Sequence, residues 1–239
     1  MRTAGVDIEY AFGTYSSQKR CIFDDIGGGS MTEKAENTRQ NILNTALKHF
    51  LEYGFAGASL RSIVKDAGLT TGAFYKYYPT KEALFDALID PYVEELYRIY
   101  DSVLEEFQSL PPEKQTENMA SASGNGMDQM VNYVYDHYDN FKLLLRCSDN
   151  EKYGEMIHNL VDREMRSSKQ YVEEMHRAGI DVPDISDSLC HMIYSGFFSA
   201  IFQIIEHDMD RETAIENVGK LKKFYTGGWE RIWKVKFPE

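Results

Sequence analysis

Cysteine and proline are both sparse in this chain, at three and six residues out of 239. Cys21, Cys147 and Cys190 have neither the paired spacing of a metal site nor the density of a disulfide framework. They read as reduced thiols, with Cys147 and Cys190 as buried filler. So few prolines leave long stretches free to be helical, and no stretch alternates apolar and polar residues as a half-buried strand would. The N-terminus lacks the continuous apolar run of a signal peptide, which leaves the cytoplasm as the expected compartment. Also missing are a nucleophile with its base, a phosphate-cradling glycine loop and a clustered set of metal ligands, so neither enzyme nor cofactor is expected. His137, His158, His176, His191 and His207 follow no metal-binding pattern and read singly as surface or satisfied core residues.

What is present is concentrated in residues 59–81, SLRSIVKDAGLTTGAFYKYYPTK. Ser59 is placed to cap a helix over Leu60–Ala67, with Leu60, Ile63, Val64 and Ala67 on one face. Gly68 suits the sharp stop, because it adopts left-handed backbone without steric penalty. Leu69 is the expected buried corner. Thr70 or Thr71 then caps a second helix running to about Tyr77, and Pro79 ends it by biasing the residue before it towards extended backbone. Two short helices joined by a tight glycine turn have the form of a DNA-reading helix-turn-helix. Gly72 and Ala73 allow close approach to base edges, while Thr70 and Thr71 offer hydroxyls near a helix N-terminus. Tyr75, Tyr77 and Tyr78 cannot all be buried on so short a helix, and an outward tyrosine hydroxyl is an ordinary phosphate ligand. Lys81 opens the next helix and adds a cation. DNA contact is therefore assigned to Ser59, Arg61, Thr70, Thr71, Gly72, Ala73, Tyr75, Tyr77 and Lys81.

Residues 38–90 resemble the DNA-binding domain of the TetR family of bacterial transcription regulators. The likeness is carried by Ile42, Ala46, Phe50 and Gly54, then Ser59-Leu60 and Ile63, then Ala67-Gly68-Leu69-Thr70 and Gly72. It continues through Tyr75, Tyr77-Tyr78, Lys81-Glu82 and Leu84. Val64 stands where the family usually has alanine, Tyr77 where histidine is frequent and Tyr78 where phenylalanine dominates. The resemblance implies an all-α fold: a three-helix DNA-binding domain followed by a larger helical domain for ligand binding and dimerisation. It implies a homodimer on a pseudo-palindromic operator, and a repressor released when a small molecule fills the second domain. A ligand-independent DNA-binding adaptor, whose second domain binds another protein, is the competing expectation.

Residues 1–30 show no helical period and end in Gly-Gly-Gly-Ser before Met31. They read either as a fused peptide with a flexible linker or as translated upstream sequence ahead of a start at Met31, and fall outside the expected fold. Residues 31–80 form the helix-turn-helix domain and 81–239 the regulatory domain. The net charge of −12 divides unevenly. Residues 31–90 carry seven basic and seven acidic side chains, while residues 91–239 carry sixteen basic and 27 acidic. A neutral DNA-binding segment neutralises few phosphates by itself, so two copies are needed for tight binding.

In the second domain a long helix is expected from Lys81 to about Gln108, bent at Pro91. Residues 109–126 are polar and rich in Ser, Gly and Pro, and read as a mobile loop. Helices follow near 127–138, 140–147 and 151–178, the last closed by Gly179. Two more run from about Asp184 to 207 and from Arg211 to Trp233. The stretch after Asp184 is long and apolar, but Asp187, His191, Gln203 and four serines weigh against a membrane span. With Gly196, Ser195, Ser199 and Ala200 for close approach, helices 184–207 and 211–233 are assigned to the homodimer interface. A pocket for an apolar or aromatic effector is assigned to Tyr97, Tyr100, Phe107, Met130, Tyr133, Met156, Tyr171 and Tyr194.

Overall fold

The computed structural model describes residues 33–147 and 151–237, with backbone alone at 120–125 and 147. Residues 1–30, and Cys21 with them, lie outside the described residues. Nine helices and no strand occur among the described residues. The first turns of α1, Glu33–Thr38, are the only described part of the first 38 residues.

Helix α1 (Glu33–Gly57) buries Ile42, Leu43, Ala46 and Phe50, and its helical backbone is interrupted at Gly54 (φ 73°, ψ 168°). Helix α2 (Leu60–Asp66) is capped by Ser59, whose Oγ accepts from the Ser62 amide at 3.4 Å. Gly68 takes φ 72° at the turn. Asn41 Nδ2 donates to the Ala67 carbonyl at 2.9 Å, tying α1 to the end of α2. Helix α3 is shorter than the sequence predicts, Thr71–Phe74, with Thr70 as its cap. Beyond Phe74 the chain tightens, and Tyr77 donates to the Phe74 carbonyl at 2.8 Å. Pro79 follows too closely for another α-helical turn. Phe74 is fully buried and anchors the short helix, while Leu69 is half-buried rather than buried.

Helix α4 (Lys81–Gln108) is capped by Thr80 and continues through Pro91 as one helix. Its N-terminal half buries Leu84, Phe85, Leu88 and Ile89 in the same core as α1–α3, and its later turns bury Leu96, Tyr97 and Tyr100 in that core's extension. Phe107, near its end, belongs to a second core with Tyr171, Met175, Val182, Trp233 and Phe237.

The segment expected to be a loop is helical. Helix α5 (Pro112–Asp136) starts immediately after Pro111 and leaves only 109–111 as connection. Pro112 sits in the first turn, where its missing N–H costs nothing. Buried Gln115 then closes the junction, its Nε2 donating to the Leu110 carbonyl at 2.9 Å and to Glu174 at 2.7 Å. Thr116 adds a bond to the Tyr171 hydroxyl at 3.1 Å. These long-range anchors override the weak local propensity of a Ser/Gly-rich stretch.

Helices α6 (Tyr138–Cys147) and α7 (Glu151–Arg177) follow, the latter closed by Gly179 at φ 78°. Helix α8 (Asp187–Glu206) begins three residues later than expected, because Ser186 is the residue that caps it. It is long and apolar enough to cross a membrane by length and composition. It packs on α6, α7 and α9 (Arg211–Trp233), burying Tyr194, Phe198, Ile201, Phe202, Ile204 and Ile205. At the α8–α9 turn, Asp208 accepts bonds from Tyr138, Lys142 and Arg146. The Lys142 bond leads in holding its carboxyl below the usual carboxylate range. Cys190 is a half-buried free thiol packed against the core.

Candidate functional site

The helix-turn-helix leaves one face of α2 and α3 open. Ser59, Arg61, Thr70, Thr71, Gly72 and Tyr75 are exposed, Ala73 is half-buried, and Tyr75 retains 50% of its surface. Thr70 Oγ1 accepts from the Ala73 amide at 3.2 Å, so its role as cap fixes the start of α3. The three tyrosines divide as chain length requires: Tyr75 points outwards, Tyr77 is half-buried against the core and Tyr78 is buried beside Phe74. Lys81 is less available than its sequence position implies. Its Nζ donates to the Ala56 carbonyl at 3.4 Å and lies 4.7 Å from the Phe55 ring centroid. Exposed Lys76 was missed by the sequence reading, although it is the only cation between Gly68 and Pro79.

A cavity of about 120 Å³ lies between α4, α5, α7, α8 and α9. Tyr100, Phe107, Tyr171 and Tyr194 line it, as the sequence analysis expected. Four assigned residues do not. Met130 and Met156 are fully packed in the main core, and Tyr97 faces Arg163, whose guanidinium lies 4.2 Å from its ring centroid. Burial pushes the Tyr97 hydroxyl up to about 12. Tyr133 packs on His137 at 4.7 Å and on Phe141 at 6.1 Å. These four occupy other faces of helices whose direction alone was known, and aromatic content does not say which face meets the void.

The sequence reading also missed Trp229, Trp233, Phe197, Tyr225 and Glu164, all of which line the cavity. The first four lie on α8 and α9, helices assigned to dimer contact except for Tyr194. Their inward faces carry a stacked pair, Trp229 on Trp233 at 4.6 Å, an i, i+4 signal visible in the sequence. Glu164 could have been found as well, since it falls on the stripe formed by Ile157, Leu160, Val161, Tyr171 and Met175. Tyr100 donates to Glu164, and burial raises the Glu164 carboxyl above its ordinary range. Burial likewise lifts the hydroxyls of Tyr100 and Tyr194, the latter bonded to Ser168.

The two sites share α4. Leu88 packs in the first core and Phe107 lines the cavity, about 28 Å apart at about 1.5 Å per residue. Asn140 Nδ2 donates to the Leu88 carbonyl at 2.9 Å, and Lys152 reaches Asp86 at 2.8 Å and Asp90 at 2.5 Å. The end of α4 beside the DNA-binding helices is therefore clamped by α6 and α7. Among the described residues, no group of three or more His, Cys, Asp or Glu could hold a metal ion.

Residues 42–88 match the sequence model of bacterial regulatory proteins, tetR family. An HTH-type transcriptional regulator of Bacillus subtilis strain 168, YdgC, is 36% identical over 74 residues, covering 31% of this chain and 38% of that protein. The HTH-type transcriptional repressor DhaR of Mycobacterium sp. strain GP1 is 30% identical over 84 residues, covering 35% of this chain and 42% of that protein. The chain thus matches well under half the length of these relatives. The fold likeness extends further. A TetR-family transcriptional regulator from Bordetella parapertussis superposes with a TM-score of 0.55 at 18% identity, covering 78% of this chain and 94% of that one. The regulator PfmR from Thermus thermophilus superposes at 0.53 with 18% identity, covering 81% and 97%. Residues 42–88 thus carry the helix-turn-helix of bacterial regulatory proteins of the tetR family, and the all-helical fold around them is similar to that of the solved TetR-family regulators.

Proposed function

We propose that the protein is a homodimeric, sequence-specific transcriptional repressor of the cytoplasm, released from a pseudo-palindromic operator by a small molecule. The observation that carries the reading is α4, which is buried in the DNA-binding core at one end and forms a cavity wall at the other. A ligand that changes the packing around Tyr100 and Phe107 acts on the element that supports α3. Linkage then requires DNA to weaken the ligand by the factor by which the ligand weakens DNA. In this reading Thr71, Gly72 and Ala73 approach bases, while Ser59, Arg61, Thr70 and Tyr75 hold phosphates, with lesser roles for Tyr77 and Lys81. The cavity favours a ligand sensor over the adaptor, whose second domain needs no internal void.

A homodimer is supported by large apolar residues left exposed on the last two helices. Met192 on α8 keeps 70% of its surface and Phe224 on α9 keeps 75%, with Leu189 and Ile215 also exposed. Such a face in a single chain marks an interaction surface.

The test is fluorescence anisotropy with the DNA flanking the protein's own gene, against scrambled DNA and at two salt concentrations. Tyr75→Ala is expected to lose one phosphate bond per protomer, about 1–3 kcal/mol for the pair, with sequence preference retained. Unchanged affinity rejects the role of Tyr75, and binding no tighter than to scrambled DNA rejects this operator.

A further inference from the structure

The cavity holds a carboxyl group that no cation of the described residues accompanies. Glu164 lines it, takes a hydrogen bond from Tyr100, and has no Lys, Arg or His nitrogen within 4 Å among the described residues. A carboxylate in such surroundings is costly unless a cation joins it. Lys222 is the one cation of the cavity wall, and the charge acting on it favourably is Asp128 of α5. Glu164 is therefore left to a partner from outside.

Its neighbours are suited to one. Tyr100, Tyr194, Phe197, Tyr225 and Trp229 line the same space, and aromatic rings attract organic cations. The wall then continues from Tyr194 to Trp229 at 5.1 Å and from Trp229 to Trp233 at 4.6 Å. Trp233, 4% exposed, closes that side of the cavity.

We propose that the effector is a small organic cation, its charge held by Glu164 within the aromatic wall. This inference rests on the cavity being the effector site. A volume of about 120 Å³ has room for a small quaternary amine.

Both tryptophans of the chain line the cavity, so intrinsic fluorescence of the full-length protein reports occupancy directly. Three probes of matched shape separate the possibilities: choline, its neutral analogue 3,3-dimethylbutan-1-ol, and the anion 3,3-dimethylbutanoate. Choline is expected to bind about tenfold tighter than the alcohol. Glu164→Gln, which still accepts the Tyr100 bond, should erase that difference, with an unchanged circular-dichroism spectrum showing that the variant is folded. Equal binding of choline and the alcohol to the native protein overturns the cation and leaves the effector site standing. Tightest binding of the anion overturns it in favour of Lys222. Failure of all three probes overturns both readings.

Discussion

Gly126 of α5 packs close against Val103 of α4, and replacing it tests the packing that shapes the cavity. A Cβ at this position would lie 2.6 Å from Val103 Cγ1, 3.1 Å from Cγ2 and 3.2 Å from Cβ. Rotating the valine can relieve the first two contacts but not the third, because Cβ moves only with the backbone. Two effects oppose each other in Gly126→Ala. Alanine in a helix interior gains about 0.8–1 kcal/mol over glycine. Overpacking of this kind costs about 1–3 kcal/mol. With both γ-carbons in the way the second wins, and a net loss of about 1–2 kcal/mol is expected. Removing the γ-carbons by Val103→Ala should turn the same substitution neutral or slightly stabilising, giving a coupling of at least about 1 kcal/mol. Urea unfolding of the four proteins, at one protomer concentration, measures the cycle. If Gly126→Ala stabilises the native protein by about 1 kcal/mol, propensity alone is acting and the close α4–α5 contact is refuted.

Thr70→Ala should cost about 1 kcal/mol of local stability by removing the α3 cap, and should weaken operator binding, with Thr70→Ser restoring both. Anisotropy equal to the native protein's would show that α3 holds without its cap. Phe224→Glu together with Met192→Glu should shift the protein towards monomer in sedimentation, since burying each apolar side chain in a dimer contributes about 1.5–3 kcal/mol; an unchanged dimer would move the interface elsewhere. Glu164 also sets a pH dependence. Its carboxyl is raised in the folded protein, so the folded state binds more protons than the unfolded one above the ordinary carboxylate range. This contribution is intact at low pH and is lost as pH rises through the folded value. The melting temperature of Glu164→Gln relative to the native protein should therefore climb as pH rises above the ordinary carboxylate range. A flat difference would mean that Glu164 ionises as a solvated carboxylate.

Much of this protein is local and hence written in its sequence. Ser59, Gly68, Thr70 and Thr80 act on backbone within a few residues of themselves, so the helix-turn-helix and the start of α4 follow from capping and turn chemistry alone. The long α4, α7 and α9 follow from apolar spacing in the same way. What only the tertiary structure decided is non-local. Residues 112–126 are helical because Gln115 and Thr116 find Glu174 and Tyr171 some sixty positions away, 59 for one pair and 55 for the other. The pocket depends on which faces of five helices meet, and this is why Tyr97, Met130, Tyr133 and Met156 left it while Trp229 and Trp233 entered. A helical period shows which residues share a face, but the rotation of that face towards a void is set by the neighbours packed around it. Glu164 shows the division most plainly. Its place on an apolar stripe is visible in the sequence, but its lack of a cationic partner emerges only once every surrounding helix is in position.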